Sequence, residues 1–236
     1  MSEIKIEEGR FIDLSELNEL YDKNVKCPIC SKEFTTKKVR TSRLRILKRD
    51  EDFLSYYNTE NPIKYSIYVC PNCGYAASEN KFDDIKNDQV GIIIDNISSR
   101  WNKRDFGGVR DLDEAIESYK LALLAGTLLK ARKLEQGNIC LSLGWLYRLK
   151  EDKDEEARFL RLARDQFIEA YNTESLTGTG MDDSKLSYLI GELSRRINDK
   201  EEALSWFNTC LNLASTRMNP ALNEMAREQW RLAKEM

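Results

Sequence analysis

Two Cys-Pro-x-Cys segments, Cys27-Pro28-Ile29-Cys30 and Cys70-Pro71-Asn72-Cys73, constrain the fold of this chain more than any other feature. Each makes a tight knuckle whose two thiolates point to a common centre, with the following backbone N–H groups placed to donate to the sulfurs. The proline pre-sets φ for the turn, and Gly74 can take the left-handed conformation a knuckle needs. Four sulfurs complete a tetrahedral zinc shell and leave no open position. Cys27, Cys30, Cys70 and Cys73 therefore predict a structural zinc (Zn) rather than a catalytic one. Three other readings stand beside it. Iron (Fe) in a rubredoxin-like site uses the same ligand type; a redox pair would stand alone at a helix N-terminus; and the thiols could simply be packed as core. The segment between the two halves is longer than a zinc ribbon normally carries. A module this small has little core of its own, so metal binding would contribute to its folding.

Composition narrows the rest. Six cysteines in 236 residues are too few for a disulfide scaffold, and the paired spacing of four of them favours metal in a reducing compartment. With 41% apolar and 33% charged residues the chain reads as a soluble globular protein, and a net charge of -3 argues against coating nucleic acid through bulk charge. The N-terminal residues show no apolar signal region, and the longest apolar run, Val90–Ile94, falls far short of the roughly 20 residues that span a bilayer. A cytoplasmic protein without a membrane segment is the expectation. The chain has no histidine. That removes Ser-His and Cys-His nucleophile pairs, imidazole bases and His-ligated catalytic metals, and it points to a binding protein before an enzyme.

Along the chain, Leu14, Leu17, Leu20 and Tyr21 predict a short amphipathic helix after a cap at Asp13. Ile63, Tyr65, Ile67 and Val69 alternate as a strand running into the second knuckle, and the β-branched, basic stretch from Thr35 predicts one or two more strands. From about Asp83 the apolar period is helical. Helices are predicted at about 85–101, 111–125, 128–151, 154–172, 183–198, 200–215 and 220–235, with capping residues at the breaks. Trp101, Trp145, Trp206 and Trp230 fall at packing positions on these helices, as do Cys140 and Cys210. Asp152, Asp154, Asp182 and Asp183 read as caps rather than as metal or acid–base pairs.

A weak repeat runs through the helices. Leu143-Gly144-x-x-Tyr147 and Ile190-Gly191 match the first half of a tetratricopeptide (TPR) unit. Ala115-x-x-x-Tyr119, Ala163-x-x-x-Phe167 and Ala203-x-x-x-Phe207 match the second. Gly191 and Ala203 have the standard separation, whereas Gly144 and Ala163 lie further apart and require longer helices. The architecture expected is α+β, mainly α, with a zinc-ribbon-like β module over residues 1–80 and a TPR-like helical array over residues 81–236.

Lys37, Lys38, Arg40, Arg43, Arg45, Lys48 and Arg49 form the one concentrated run of positive charge, followed by Tyr56, Tyr57, Tyr65 and Tyr68. Basic strands with aromatic side chains can hold nucleic acid, cations on phosphate and rings on bases. The plainer reading is a solvated face, partly neutralised by Asp50, Glu51 and Asp52 or docked on the acidic helical half.

The knuckles, the Lys37–Arg45 stretch, the segment from Asn61 to Ala76 and the helical remainder together resemble a bacterial group of uncharacterised proteins, domain-of-unknown-function family 2225. The resemblance implies a bacterial protein with an N-terminal metal-binding segment and TPR-like helices, and it implies no activity. A zinc-binding scaffold that binds a protein partner or its own copy is the leading expectation. A nucleic-acid-binding regulator is the second.

Overall fold

The computed structural model describes residues 4–7, 10–13 and 19–236. Two compact units divide the chain: unit 1 holds residues up to Lys48 and Ser55–Leu129, and unit 2 holds Arg49–Leu54 and Lys130–Met236.

The strands come in antiparallel or short paired ribbons. β1 (Ile4–Glu7) pairs with β2 (Arg10–Asp13), and β3 (Leu20–Lys26) with β4 (Glu33–Val39). β5 (Ile46–Arg49) pairs with β6 (Ser55–Tyr57), and β7 (Ile67–Val69) with β8 (Ala76–Ser78). The basic stretch thus supplies two strands, as its composition predicts. The amphipathic helix expected before the first knuckle does not extend through Leu20 and Tyr21. Asp13 ends β2, and Leu20 and Tyr21 open β3, where they face Val39 and Lys38 across the ladder. Alternating burial along β3 satisfies Leu20 with one face of a strand. Leu14 and Leu17 lie outside the described residues. The strand predicted from Ile63 is shorter too. Asn61 accepts from the Ile63 N–H, Pro62 follows it, and Pro62–Tyr65 makes a 3-10 turn before β7 begins.

Helices fill most of the remainder. In unit 1, α1 is Asn87–Asn96 and α2 is Leu112–Leu128, capped by Asp111. α1 ends five residues before Trp101, which lies beyond a 3-10 turn at Ser98–Arg100. In unit 2, α3 (Lys133–Leu149), α4 (Lys153–Thr173), α5 (Asp183–Arg196), α6 (Lys200–Asn212), α7 (Ala214–Arg217) and α8 (Pro220–Glu235) follow the predicted segments, except that α3 starts five residues later than expected and the segment expected over 200–215 is split into α6 and α7. Asp152, Asp182, Asp199 and Asn219 each accept a backbone N–H from the first turn of the helix they open. Acceptor side chains at these positions satisfy donors that have no intrahelical partner.

Unit 2 repeats one device. α3 ends with Glu151 at φ 63°, while the N–H groups of Glu151 and Asp152 donate to the carbonyls of Arg148 and Tyr147. α5 ends with Asn198 at φ 61°, while Asn198 and Asp199 donate to Arg195 and Ser194. Both are Schellman turns whose last residue is the aspartate that caps the next helix. Glycines then set the approach within each pair. A Cβ on Gly144 would lie 2.6 Å from Leu160, and one on Gly191 would lie 2.8 Å from Phe207. Gly137 meets Phe167 in the same way, so α3 and α4 run antiparallel and repeat the small-against-large contact further along. This second contact accounts for the wide Gly144–Ala163 spacing in the sequence. Cys140 and Cys210 are buried, as predicted. Among the described residues, no helix is long and apolar enough to cross a membrane.

Candidate metal centre

The two knuckles are built alike. Cys27 N–H donates to the Lys32 carbonyl and Ser31 N–H returns to Cys27, both at 2.9 Å; Cys70 N–H donates to Tyr75 and Gly74 N–H returns to Cys70, again at 2.9 Å. The residue after each pair takes a left-handed backbone, Ser31 at φ 57° and Gly74 at φ 76°. Only the second knuckle places glycine there, and Trp101 explains why. A Cβ on Gly74 would meet the indole at 2.5 Å, and Trp101 Nε1 donates to the Pro71 carbonyl at 3.0 Å.

The four sulfurs lie within 4.8 Å of one another. Cys27 and Cys73 Sγ are 3.6 Å apart, as are Cys30 and Cys70 Sγ. A disulfide needs about 2.05 Å, whereas a tetrahedral zinc with Zn–S near 2.3 Å has sulfur–sulfur edges of about 3.8 Å. The cluster can therefore hold a metal ion and is not a pair of disulfides. Its protons show the same pressure. The close approach of Cys27 lowers the pKa of Cys70, while Cys70 in turn raises that of Cys27. Backbone hydrogen bonds from Ile29 and Cys30 favour thiolate at Cys27, and those from Cys73 and Asn72 favour it at Cys70. Thiolates crowded this closely need a cation to be stable together.

The centre is not an isolated ribbon. Cys27, Cys70 and Cys73 share a core with Tyr68, Tyr75 and Phe82, with Ile93 and Ile97 at the end of α1, and with Ala125 of α2. Arg110 holds the same unit together from a fully buried position that composition gave no reason to single out. Its Nε donates to the Phe106 carbonyl at 2.8 Å, and its Nη1 donates to the carbonyls of Ile67 at 2.8 Å and Lys64 at 3.1 Å. Burial lowers its pKa, against the pull of Tyr65, Tyr119, Glu114 and Asp105.

Part of the basic run has partners nearby. Lys37 pairs with Asp22 at 2.8 Å, Lys38 pairs with Glu79, and Arg40 lies 4.8 Å from the Tyr21 ring. Arg43 and Arg45 are exposed, as is Lys48, which sits 5.3 Å from the Tyr56 ring. Arg49 is exposed within unit 2. The acids next to this run also have partners far along the chain. Asp50 and Asp52 pair with Arg148 at 2.9 and 2.6 Å, and Glu51 pairs with Arg196 at 3.1 Å. Sequence proximity pointed to the near cations; the fully buried Asp52 instead meets the half-buried guanidinium of Arg148.

Against this geometry, the model of a family described as uncharacterized protein conserved in bacteria (DUF2225) matches residues 20–233. The chain belongs to this family. The matched span of DUF2225 takes in all four cysteines, Trp101, Arg110 and the helices of unit 2 up to the last turn of α8. An uncharacterized protein of Borreliella burgdorferi is 28% identical over 150 residues, which cover 56% of this chain and 53% of that protein. The match thus spans about half the length of that relative. No solved structure matches.

Proposed function

We propose that this DUF2225 protein is a cytoplasmic, zinc-binding scaffold without catalytic activity, in which TPR-like helices bind a protein partner or a second copy. The observation that carries this reading is the repeated helix pair. α3/α4 and α5/α6 share one Schellman–aspartate junction and one glycine-against-large-side-chain contact, the packing logic of stacked helical repeats. Zinc suits the centre because an all-sulfur, closed tetrahedron fits it, as it would fit iron, and with no free coordination position the metal would hold structure rather than activate a substrate. Cys27, Cys30, Cys70 and Cys73 would be its ligands.

Affinity capture with the full-length chain, paired with light scattering for self-association, tests the reading. Recovery of a saturable protein partner, or of a dimer, supports it. A strictly monomeric chain that captures only nucleic acid overturns it.

The second reading is a nucleic-acid-binding regulator. It is favoured by the exposure of Arg40, Arg43, Arg45 and Lys48 beside exposed Ile46 and Leu47. It requires salt-sensitive binding that an Arg40/Arg43/Arg45→Ala variant loses while keeping its metal. The pairing of Lys37 and Lys38 with acids places it second.

A further inference from the structure

Arg49–Leu54 belongs to unit 2 as a turn closed on itself, with Asp50 N–H donating to the Leu54 carbonyl at 2.8 Å and Phe53 N–H to the Asp50 carbonyl at 2.9 Å. Its side chains enter α3 and α5. Asp52 has no exposed surface and spends both oxygens there: Arg148 donates from Nη1 to Oδ1 at 3.0 Å and from Nη2 to Oδ2 at 2.6 Å, and Trp145 Nε1 donates to Oδ2 at 3.0 Å. Arg148 Nη1 also reaches Asp50 Oδ2 at 2.9 Å. Arg196 Nη2 donates to Glu51 Oε2 at 3.1 Å, and the Tyr188 hydroxyl donates to the Glu51 carbonyl at 3.0 Å. The Phe53 ring sits 5.6 Å from that of Tyr188 and joins the cluster containing Phe207, Leu222 and Ala226. A forked Arg–carboxylate pair, a captured backbone carbonyl and an aromatic anchor in a pocket are the elements by which proteins recognise peptides.

Two features show a receiving site built independently of what it receives. Arg148 is also held by Glu156 of α4 at 2.6 Å, and Arg196 by the fully buried Glu192 at 2.7 Å. The guanidiniums are thus oriented by the helices themselves, which is preorganisation for an acidic ligand. The turn, in contrast, is strained: Phe53 has φ 75°, a left-handed conformation that a bulky aromatic adopts only when its surroundings impose it. Trp145 and Arg148 of α3 and Tyr188 and Arg196 of α5 receive the turn, and α3 and α5 are the first helices of the two repeated pairs.

We infer that this face of α3 and α5 recognises an acidic–aromatic turn, Asp-x-Asp-Phe in chemistry, on a partner protein, and that Asp50–Phe53 fills it in cis as a stand-in ligand. The inference rests on reading the helices as an interaction module. It adds the partner's chemistry and a requirement that the cis turn leave before the partner binds.

A fluorescent synthetic peptide with the sequence of residues 47–56 is the probe, and anisotropy with the full-length chain is the measurement. An Asp50→Asn/Asp52→Asn variant, with its seat emptied, is expected to bind at least tenfold more tightly than the unaltered protein. Adding Arg148→Met to that variant should abolish binding. A double variant that keeps its helical circular dichroism and does not bind the peptide overturns the inference. Hydrogen exchange on the unaltered protein covers the case in which the variant fails to fold. If the turn is a displaceable ligand, the Trp145 indole N–H has a protection factor at least tenfold below the amides in the middle of α5; equal protection makes the turn part of the global fold and overturns the inference. A silent peptide beside a captured protein partner removes this inference and leaves the scaffold reading standing.

Discussion

Trp101 lies so close over Gly74 that a Cβ at position 74 would come within 2.5 Å of the indole Cδ2 and Cε3 atoms. With Gly74 at φ 76°, two independent penalties oppose any other residue there, a left-handed backbone and an overlap with a ring that is itself hydrogen-bonded to Pro71. Gly74→Ala is expected to lower unfolding free energy by about 2–4 kcal/mol, combining ~1 kcal/mol or more for the backbone with ~1–3 for overpacking. Urea denaturation followed by tryptophan fluorescence measures it. Ser31→Gly, at the matching place of the first knuckle, should be neutral or stabilising.

Metal content is the most direct expectation. One tightly bound zinc per chain should be found by elemental analysis, with removal by a strong chelator lowering Tm by about 10 °C or more, at ~2–4 °C per kcal/mol for a chain of this size. Cys70→Ser should abolish the stoichiometry. Because the ligands bind as thiolates, zinc affinity should fall as pH is lowered.

Arg110 donates to three main-chain carbonyls from a site with almost no solvent. Arg110→Met would leave the carbonyls of Lys64, Ile67 and Phe106 without that donor, at a cost of at least about 3 kcal/mol given ~1–3 for each buried orphan. Arg110→Lys should recover less than half, because an ammonium cannot present the planar fork. Equilibrium denaturation with an unchanged m-value distinguishes this from a rearranged fold.

Glu79 accepts from both Lys38 and Lys23. Burial raises its pKa, but the bonds from Lys38 and Lys23 prevail, and its folded value lies below the ordinary 4.5. The unfolded chain therefore takes up the proton first as pH falls. Stability from this carboxylate is full above about pH 4.5 and declines as pH drops toward the lower folded value. Glu79→Gln should flatten the acid limb of a stability–pH curve, and an unchanged limb would remove Glu79 from the account.

Much of the helical half was legible because its signals are local. Asp111, Asp152, Asp182, Asp199 and Asn219 cap helices by bonding residues two or three positions away, so the sequence carries both partners together. Where the local signal was ambiguous it misled. Leu20 and Tyr21 suit a helix by spacing and a strand by pairing, and the choice between them belongs to Val39 and Lys38, far along the chain.

The cysteine pairs, the absence of histidine and the capped helical periods came from the sequence by itself: an all-sulfur centre ahead of a helical array, with nothing to support imidazole chemistry. Only the tertiary structure decided what surrounds that centre and where the charges go. Trp101 over Gly74, Arg110 among distant carbonyls, and Asp52 enclosed by Arg148 and Trp145 all join residues remote in sequence. Such pairings carry no period or motif. They follow from which polar groups burial deprives of water, and each group so deprived must find its partner wherever the packed chain brings one.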